Sequence, residues 1–200
     1  MTDTVATPSQ TRTVRIELVT PEAFAPYGVV LTPEAHERLP IEVYGNSVDC
    51  FREPIESDQP LEYLITTLRF RGYEVRFLER HMELTQTFIP MGGASYVLVV
   101  AEPDCPEEDG IPALSSIRAF LASGDTALQI HRGAWHEIPF PLSHEQLVLT
   151  LSHQSLTAGL ISNLDENREI GKLDVEKRNV RDRAGFQLLL ELPGSPQSAA

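Results

Sequence analysis

Cysteine is nearly absent from this chain, which has only Cys50 and Cys105 in 200 residues. Two thiols in separate turn-rich contexts make no disulfide framework; they read as reduced groups of a cytoplasmic protein. Basic residues are also scarce, with 16 Lys and Arg against 29 Asp and Glu and a formal net charge of −13. That balance argues against nucleic acid and against an anionic membrane surface as partners, since both would be repelled. A small anionic substrate remains compatible, provided Arg, a metal ion or backbone N–H groups meet it locally. Long apolar runs are missing too, and none approaches the roughly 18 residues needed to span a bilayer. Residues 1–12 contain no apolar segment of the secretory type and are expected to be a disordered polar tail. No internal repeat is visible.

What is present suits one domain with a real core. Strand-like runs fall at 13–18, 29–31, 41–44, 62–68, 73–78, 86–89, 96–101, 127–130, 147–151 and 186–192. Many are separated by turn signals such as Pro26 to Gly28, Arg71-Gly72, Pro90 to Gly93 and Ser123-Gly124-Asp125. Many short strands with regular punctuation indicate an all-β sandwich or barrel. Two helical patches accompany them. Thr20-Pro21 starts the first as N-cap and first-turn proline, and Ile117, Phe120 and Leu121 share a face in the second, at 115–122. The barrel domain is expected over 13–160. A charged extension follows over 161–200; its stretch 165–183 reads as a solvated helix or linker, its final strand at 186–192 could join the sheet or a neighbouring subunit, and 194–200 read as disordered.

Two polar clusters carry the chemistry, Glu79-Arg80-His81-x4-Gln86 and His131-Arg132-Gly133-Ala134-Trp135-His136. Tyr73, Val75 and Phe77 alternate with Glu74 and Arg76, and the same parity carries Glu79 and His81 onto the apolar side. A Glu and a His at core positions have left water at a cost and need a partner or a task. Three readings follow. Glu79, His81, Gln86 and His136 could hold a divalent Zn, Mn, Fe or Ni ion. They could form a metal-free acid–base pocket. They could also be a buried hydrogen-bond network that fixes the sheet.

The spacing Glu79-x-His81-x4-Gln86 followed by Gly133-x2-His136 resembles the double motif of the cupins, with Glu79 and Gln86 replacing the usual His and Glu. Around it, Leu78-Glu79-Arg80-His81, Gln86-Thr87-Phe88-Ile89-Pro90-Met91-Gly92-Gly93, the apolar run 96–101, the run 117–124 and His131 to His136 occur in order. Together with Thr20-Pro21-Glu22-Ala23-Phe24-Ala25-Pro26-Tyr27-Gly28, this set is similar to the ureidoglycolate lyase family over residues 15–155. The resemblance implies a cupin-type β-barrel or double-stranded β-sandwich. It also implies a cytoplasmic homodimer that splits ureidoglycolate into glyoxylate and urea in allantoin catabolism. Elimination of urea needs a base for the hydroxyl proton, for which Glu79 or His136 is the candidate. It also needs an acid for the leaving nitrogen, from His81 or a metal-bound water. Arg71 and Arg69 are candidates for the substrate carboxylate. Gln86, His131 and Trp135 are further binding candidates, although His131 could be an exposed turn residue and Trp135 could simply pack. His36, His144 and His153 are expected to have no role. The chain departs from the family pattern at Glu137-Ile138-Pro139, where a second His and a Pro are usual. A carboxylate there opens two alternatives: an enzyme acting on another small hydroxy or keto acid, or a non-catalytic binding module.

Overall fold

Residues 96–101 are buried on both faces, and a strand buried on both faces must lie between two packed layers. This strand is the centre of the molecule. The computed structural model describes residues 10–41, 44–162, 168–172 and 174–192. In chain order the elements are β1 (Thr11–Leu18), α1 (Pro21–Phe24), β2 (Gly28–Leu31), β3 (Leu61–Arg69), β4 (Phe77–His81), β5 (Thr87–Met91), β6 (Gly93–Ala101), β7 (Glu107–Glu108) and β8 (Ile111–Pro112). There follow β9 (Arg118–Gly124), β10 (Ala127–Ile130), β11 (Trp135–His136), β12 (Phe140–Pro141), β13 (Glu145–His153), α2 (Gln154–Ile161), β14 (Ile170–Lys172), β15 (Val175–Asn179), α3 (Val180–Ala184) and β16 (Gln187–Glu191).

The strands form a large sheet in the order β14-β15-β4-β11-β6-β9-β1-β16, with β12 also on β6, and a smaller one in the order β2-β10-β5-β13-β3. The large sheet curls until its last strand meets the stretch leading into β4: Glu74 bridges Leu189, the Val75 N–H donates to Leu188 O, and the Leu190 N–H donates to Tyr73 O. One apolar cluster fills this curl, with Leu78, Val97, Val99, Trp135 and Leu188 among its members. The second lies between the sheets, where Leu98, Val100 and Phe120 meet Phe88, Leu128 and Val148. The molecule is therefore an all-β sandwich whose larger sheet closes into a barrel.

The first helical patch is found as expected. The Ala23 N–H donates to Thr20 Oγ1, Pro21 opens the helix and Phe24 is buried. The second is not a helix: a single 3₁₀ turn at Leu114–Ser116 leads into β9. Ala119 packs in the barrel core and Phe120 and Ala122 between the sheets, so burial on both faces imitated a helical stripe. Arg118, expected on that helix, lies on β9 and forks onto Glu17 at 2.6 and 2.8 Å. The expected strand at 41–44 lies partly outside the described residues; Ile41 is not in a strand, and Tyr44 sits in a turn at φ 53°. Of the expected tails, 1–9 and 193–200 lie outside the described residues, whereas Thr11 and Arg12 already belong to β1. The charged stretch 165–183 is not a solvated helix where it is described. It supplies β14 and β15, which pair antiparallel with each other and then with β4, and α3.

Candidate active site

The strand period places the two clusters together. β11 pairs antiparallel with β4, setting His136 opposite Glu79. In β4, Leu78 points into the barrel core, so Glu79 and His81 take the opposite face, between the sheets. The parity read through Tyr73 and Val75 is broken, because Val75 shares the barrel core with Leu78. The break has a cause: residues 73–75 pair with β16, and β4 begins only at Phe77. Gly133 joins the clusters. Its φ of +77° turns the chain into β11, and its N–H donates to His81 O at 2.7 Å.

Glu79, His81 and His136 bring one ligand atom each to within 4.8 Å of one another. Glu79 Oε1 lies 3.7 Å from His136 Nε2 and 3.9 Å from His81 Nε2. His136 Nδ1 lies 3.2 Å from Ala134 O; a carbonyl only accepts, so Nδ1 carries the proton and the neutral ring has its lone pair at Nε2. The Gln86 amide meets that nitrogen at 2.9 Å through its Oε1 position. A lone pair there calls for the NH₂ end of the amide, the two ends being interchangeable by rotation. Neither ring nitrogen of His81 has a hydrogen-bond partner among the described residues, although the residue is only 2% exposed.

Burial dominates the electrostatics. Desolvation raises the Glu79 carboxyl to about 7, against the opposing pull of Lys177. It lowers His136 to about 4, although the Ala134 carbonyl favours the charged ring. It takes His81 well below its usual value, helped by repulsion from His136 and His153. Both rings are therefore neutral near pH 7, and the carboxyl is poised between its two forms.

Of the trio, Glu79 reaches a cavity of about 210 Å³ between the sheets, which it lines with Gln86, Leu64, Leu68, Phe88 and Val148, while His81 and His136 are buried behind it. That volume suits a small metabolite rather than a larger ligand. A wider, more open groove of about 360 Å³ beside Leu31, His36 and Glu53 lies apart from this cluster.

The other candidates are placed less centrally. Arg71 donates to Pro139 O at 3.0 Å and Ile138 O at 2.6 Å and packs over the Phe140 ring, so it braces the cavity wall from behind. Arg69 is exposed and pairs with Glu145 at 3.2 Å. His131 Nε2 donates to Ala25 O at 3.2 Å, outside the trio. Trp135 faces the barrel core with the Arg80 guanidinium 4.2 Å above its ring. Glu137 accepts the Phe77 N–H at 2.9 Å and lies 3.8 Å from Arg71; burial raises its carboxyl to about 7, against those two groups and with repulsion from Glu79.

Three residues with no assigned role at the level of sequence also bear on the site. Lys177 on β15 stands opposite Glu79 in register, with its Nζ 4.0 Å from the Phe77 ring centre. Asp174 and His153, both with fully buried side chains, adjoin His81. The alternation Val175, Lys177, Asn179 against Glu176 and Arg178 was a strand signal that the surrounding charge obscured.

The residues suit a divalent cation. Two imidazoles and a carboxylate are a common donor set for Zn, Mn, Fe or Ni. Behind His136 Nδ1 stands the Ala134 carbonyl, and the Asp174 carboxyl lies 3.8 Å from His81 Nδ1; an ion would use the two Nε2 atoms, and at His136 it would have to displace the Gln86 amide. The orphaned His81 Nε2 is the buried atom that such an ion would satisfy.

A family model described as ureidoglycolate lyase matches residues 11–169. A Pseudomonas paraeruginosa protein named ureidoglycolate lyase is 34% identical over 131 residues, covering 62% of this chain and 74% of that protein. A protein of the same name from Pseudomonas putida is 35% identical over 133 residues, covering 62% and 75%. Among solved structures, RmlC from Streptococcus suis superposes with a TM-score of 0.31 at 12% identity, over 47% of this chain and 44% of that one.

Proposed function

The chain belongs to the ureidoglycolate lyase family, and from that premise we infer that it cleaves ureidoglycolate to glyoxylate and urea, with Glu79 as the proton carrier. The observation that carries this reading is a carboxylate side chain set 3.7 and 3.9 Å from two buried imidazoles on the wall of a cavity of metabolite size, where burial raises its carboxyl to about 7. The hydroxyl and the leaving ureido nitrogen of the substrate sit on the same carbon. One carboxylate can therefore span both. Glu79 takes the hydroxyl proton, the O–H electrons form the aldehyde C=O, the C–N bond breaks, and Glu79 returns the proton to the departing nitrogen. A base with a pKa near 7 outperforms one near 4, so Glu79 rather than His136 fills this role. His81, whose pKa burial takes well below its usual value, is neutral and serves as an orienting group for the ureido N–H groups rather than as the acid. Glu79, His81 and His136 would also hold a divalent Zn, Mn, Fe or Ni ion; when bound, it would polarise the substrate oxygens as a Lewis acid. Gln86 holds His136.

The test is steady-state release of glyoxylate from ureidoglycolate by pure protein, with chelator and after loading with each of the four metals. Release above the uncatalysed rate is expected. None under any loading would remove the assignment. Glu137, which suggested a different substrate, is occupied by the Phe77 N–H and faces Arg71, so it gives that alternative no support.

Carboxylate recognition falls to Lys177, whose charge already acts on Glu79. Lys177→Gln should raise KM for ureidoglycolate at least ~10-fold while kcat falls less, as expected when an ion-paired anchor worth about 1.4 kcal/mol or more is lost. Equal loss in both constants would place Lys177 elsewhere in the mechanism.

The free thiols Cys50 and Cys105 suit a reducing cytoplasm, and among the described residues no helix is long and apolar enough to cross a membrane. A homodimer is supported by the outer face of the small sheet. There β3 is an edge strand carrying Tyr63 and Ile65, the latter 75% exposed, and Ile65, Leu149 and Ile89 lie in one cross-strand row. Ile65→Lys should convert the dimer to monomer in sedimentation velocity runs with little change in circular dichroism.

A further inference from the structure

The second acid–histidine group, Glu83, His153 and Asp174, lies against the active site and has its ligand atoms within 4.8 Å of one another. Its hydrogen bonds argue against an ion. His153 Nδ1 accepts the Leu156 N–H at 3.2 Å, capping α2, and lies 2.9 Å from Ser155 Oγ. A backbone N–H only donates, so the proton of the neutral ring must be on Nε2 and no lone pair is left there for a metal. That Nε2 lies 3.0 Å from Asp174 Oδ2, in a bent contact. Asp174 Oδ1 meanwhile accepts the Met82 N–H at 2.7 Å and the Glu83 N–H at 2.6 Å, the two residues that follow His81. The carboxyl is thus locked on one side by the backbone beyond β4 and on the other by the cap of α2. The next group within range of Oδ2 is His81 Nδ1, at 3.8 Å.

We propose that Asp174 is a positioning residue that fixes the rotation and tautomer of His81, drawing the proton to Nδ1 so that the Nε2 lone pair faces Glu79 and His136. Two observations and a general property of histidine ligands carry this. His81 Nδ1, His81 Nε2 and Asp174 Oδ2 are all buried without a straight hydrogen bond, and the first and last face each other. The contact is 3.8 Å long, and a rotation of the ring would be needed to bring it to hydrogen-bond length. Any substrate donor or cation drawing on Nε2 strengthens the acidity of Nδ1–H and tightens that contact. Finally, Asp174 lies beyond residue 169, where the family match ends, so the device is built by the part of the chain the match does not reach. The inference deepens the lyase reading but does not need it, since the tautomer exists with or without a substrate.

The experiment is ¹H–¹⁵N correlation of the histidine rings in chelator-treated protein, followed by kinetics. Wild-type His81 should be the Nδ1–H form, the minor tautomer of free imidazole side chains. In Asp174→Asn, Oδ1 still accepts from Met82 and Glu83, but an NH₂ group replaces Oδ2. His81 should then move its proton to Nε2, kcat should fall ~100-fold with KM changed by less than about threefold, and metal affinity should fall ~10–100-fold. Asp174→Glu should restore part of kcat. His153→Gln, which removes the other neighbour of Oδ2, should leave His81 as Nδ1–H and kcat within a few fold. If Asp174→Asn does not fold, the wild-type and His153→Gln spectra still decide. An Nε2–H tautomer for wild-type His81, or a folded Asp174→Asn with wild-type tautomer and kcat, overturns the proposal. A protein with the expected tautomers but no glyoxylate release would overturn the substrate assignment alone.

Discussion

Glu79→Gln is expected to abolish turnover and, in chelator-treated protein, to make the fold more stable above pH 7. The rate effect follows from the role proposed for it as sole proton carrier; general acid–base groups contribute ~10²–10⁴-fold, and in that proposal one group serves both transfers. The stability effect follows from burial. Desolvation raises the folded-state pKa to about 7 from 4.5. Below about pH 4.5 the carboxyl is protonated whether the chain is folded or not, and costs nothing. Between there and 7 the unfolded chain ionises while the folded one stays protonated, so stability falls as pH rises. Above 7 the full cost remains, about 3 kcal/mol at 1.36 kcal/mol per unit. A glutamine avoids that cost. Thermal unfolding at pH 5 and pH 8 should show a small gain at the first and a gain of several degrees at the second. A variant that is less stable at pH 8 would mean that Glu79 holds the sheet together, reviving the structural reading of the cluster.

The same ionisation shapes activity. Wild-type kcat/KM should rise about tenfold per pH unit below 7 and level off above it, as the carboxylate form becomes available. Glu137, raised to the same region, could imitate that limb. Glu137→Gln should leave the limb in place, and Glu79→Asp should displace it.

The trio was legible because it rests on local rules. Positions 79 and 81 share a strand face by period two, and the glycine turn before His136 is a short-range signal. What escaped was set by pairing between distant segments. The register through Tyr73 and Val75 failed because those residues pair with β16, more than a hundred positions away, and nothing in their own pattern reports a partner. Ser115–Ala122 escaped for the opposite reason: a strand covered on both faces has no alternation to show. Arg71 had the right chemistry for a carboxylate, but its donors are consumed by the Ile138 and Pro139 carbonyls. Asp174 and Lys177 were hidden by composition. In a stretch dense with both charges, a buried aspartate and a site-facing lysine look like any solvated residue until the strand they flank or occupy is laid beside β4.

Removing everything after residue 168 should therefore destroy the fold rather than trim it. The deleted segment carries β15 and β16, which cover β4 on one edge and β1 on the other. It also carries Val175, Val180, Leu188 and Leu190, each at most 5% exposed. Burying such side chains contributes about 1.5–3 kcal/mol apiece, which for four approaches the whole 5–15 kcal/mol that holds an ordinary domain folded. The loss also opens the barrel. Without β16 the backbone groups at Tyr73 and Val75 lose their partners, and unpaired strand edges invite association. The truncated chain should appear in the insoluble fraction, or as a species with weak near-ultraviolet dichroism and dye-accessible apolar surface. A cooperatively folded, active 1–168 fragment would instead make the barrel complete within the family-matched region. It would also sever Asp174 and Lys177 from any part in the reaction.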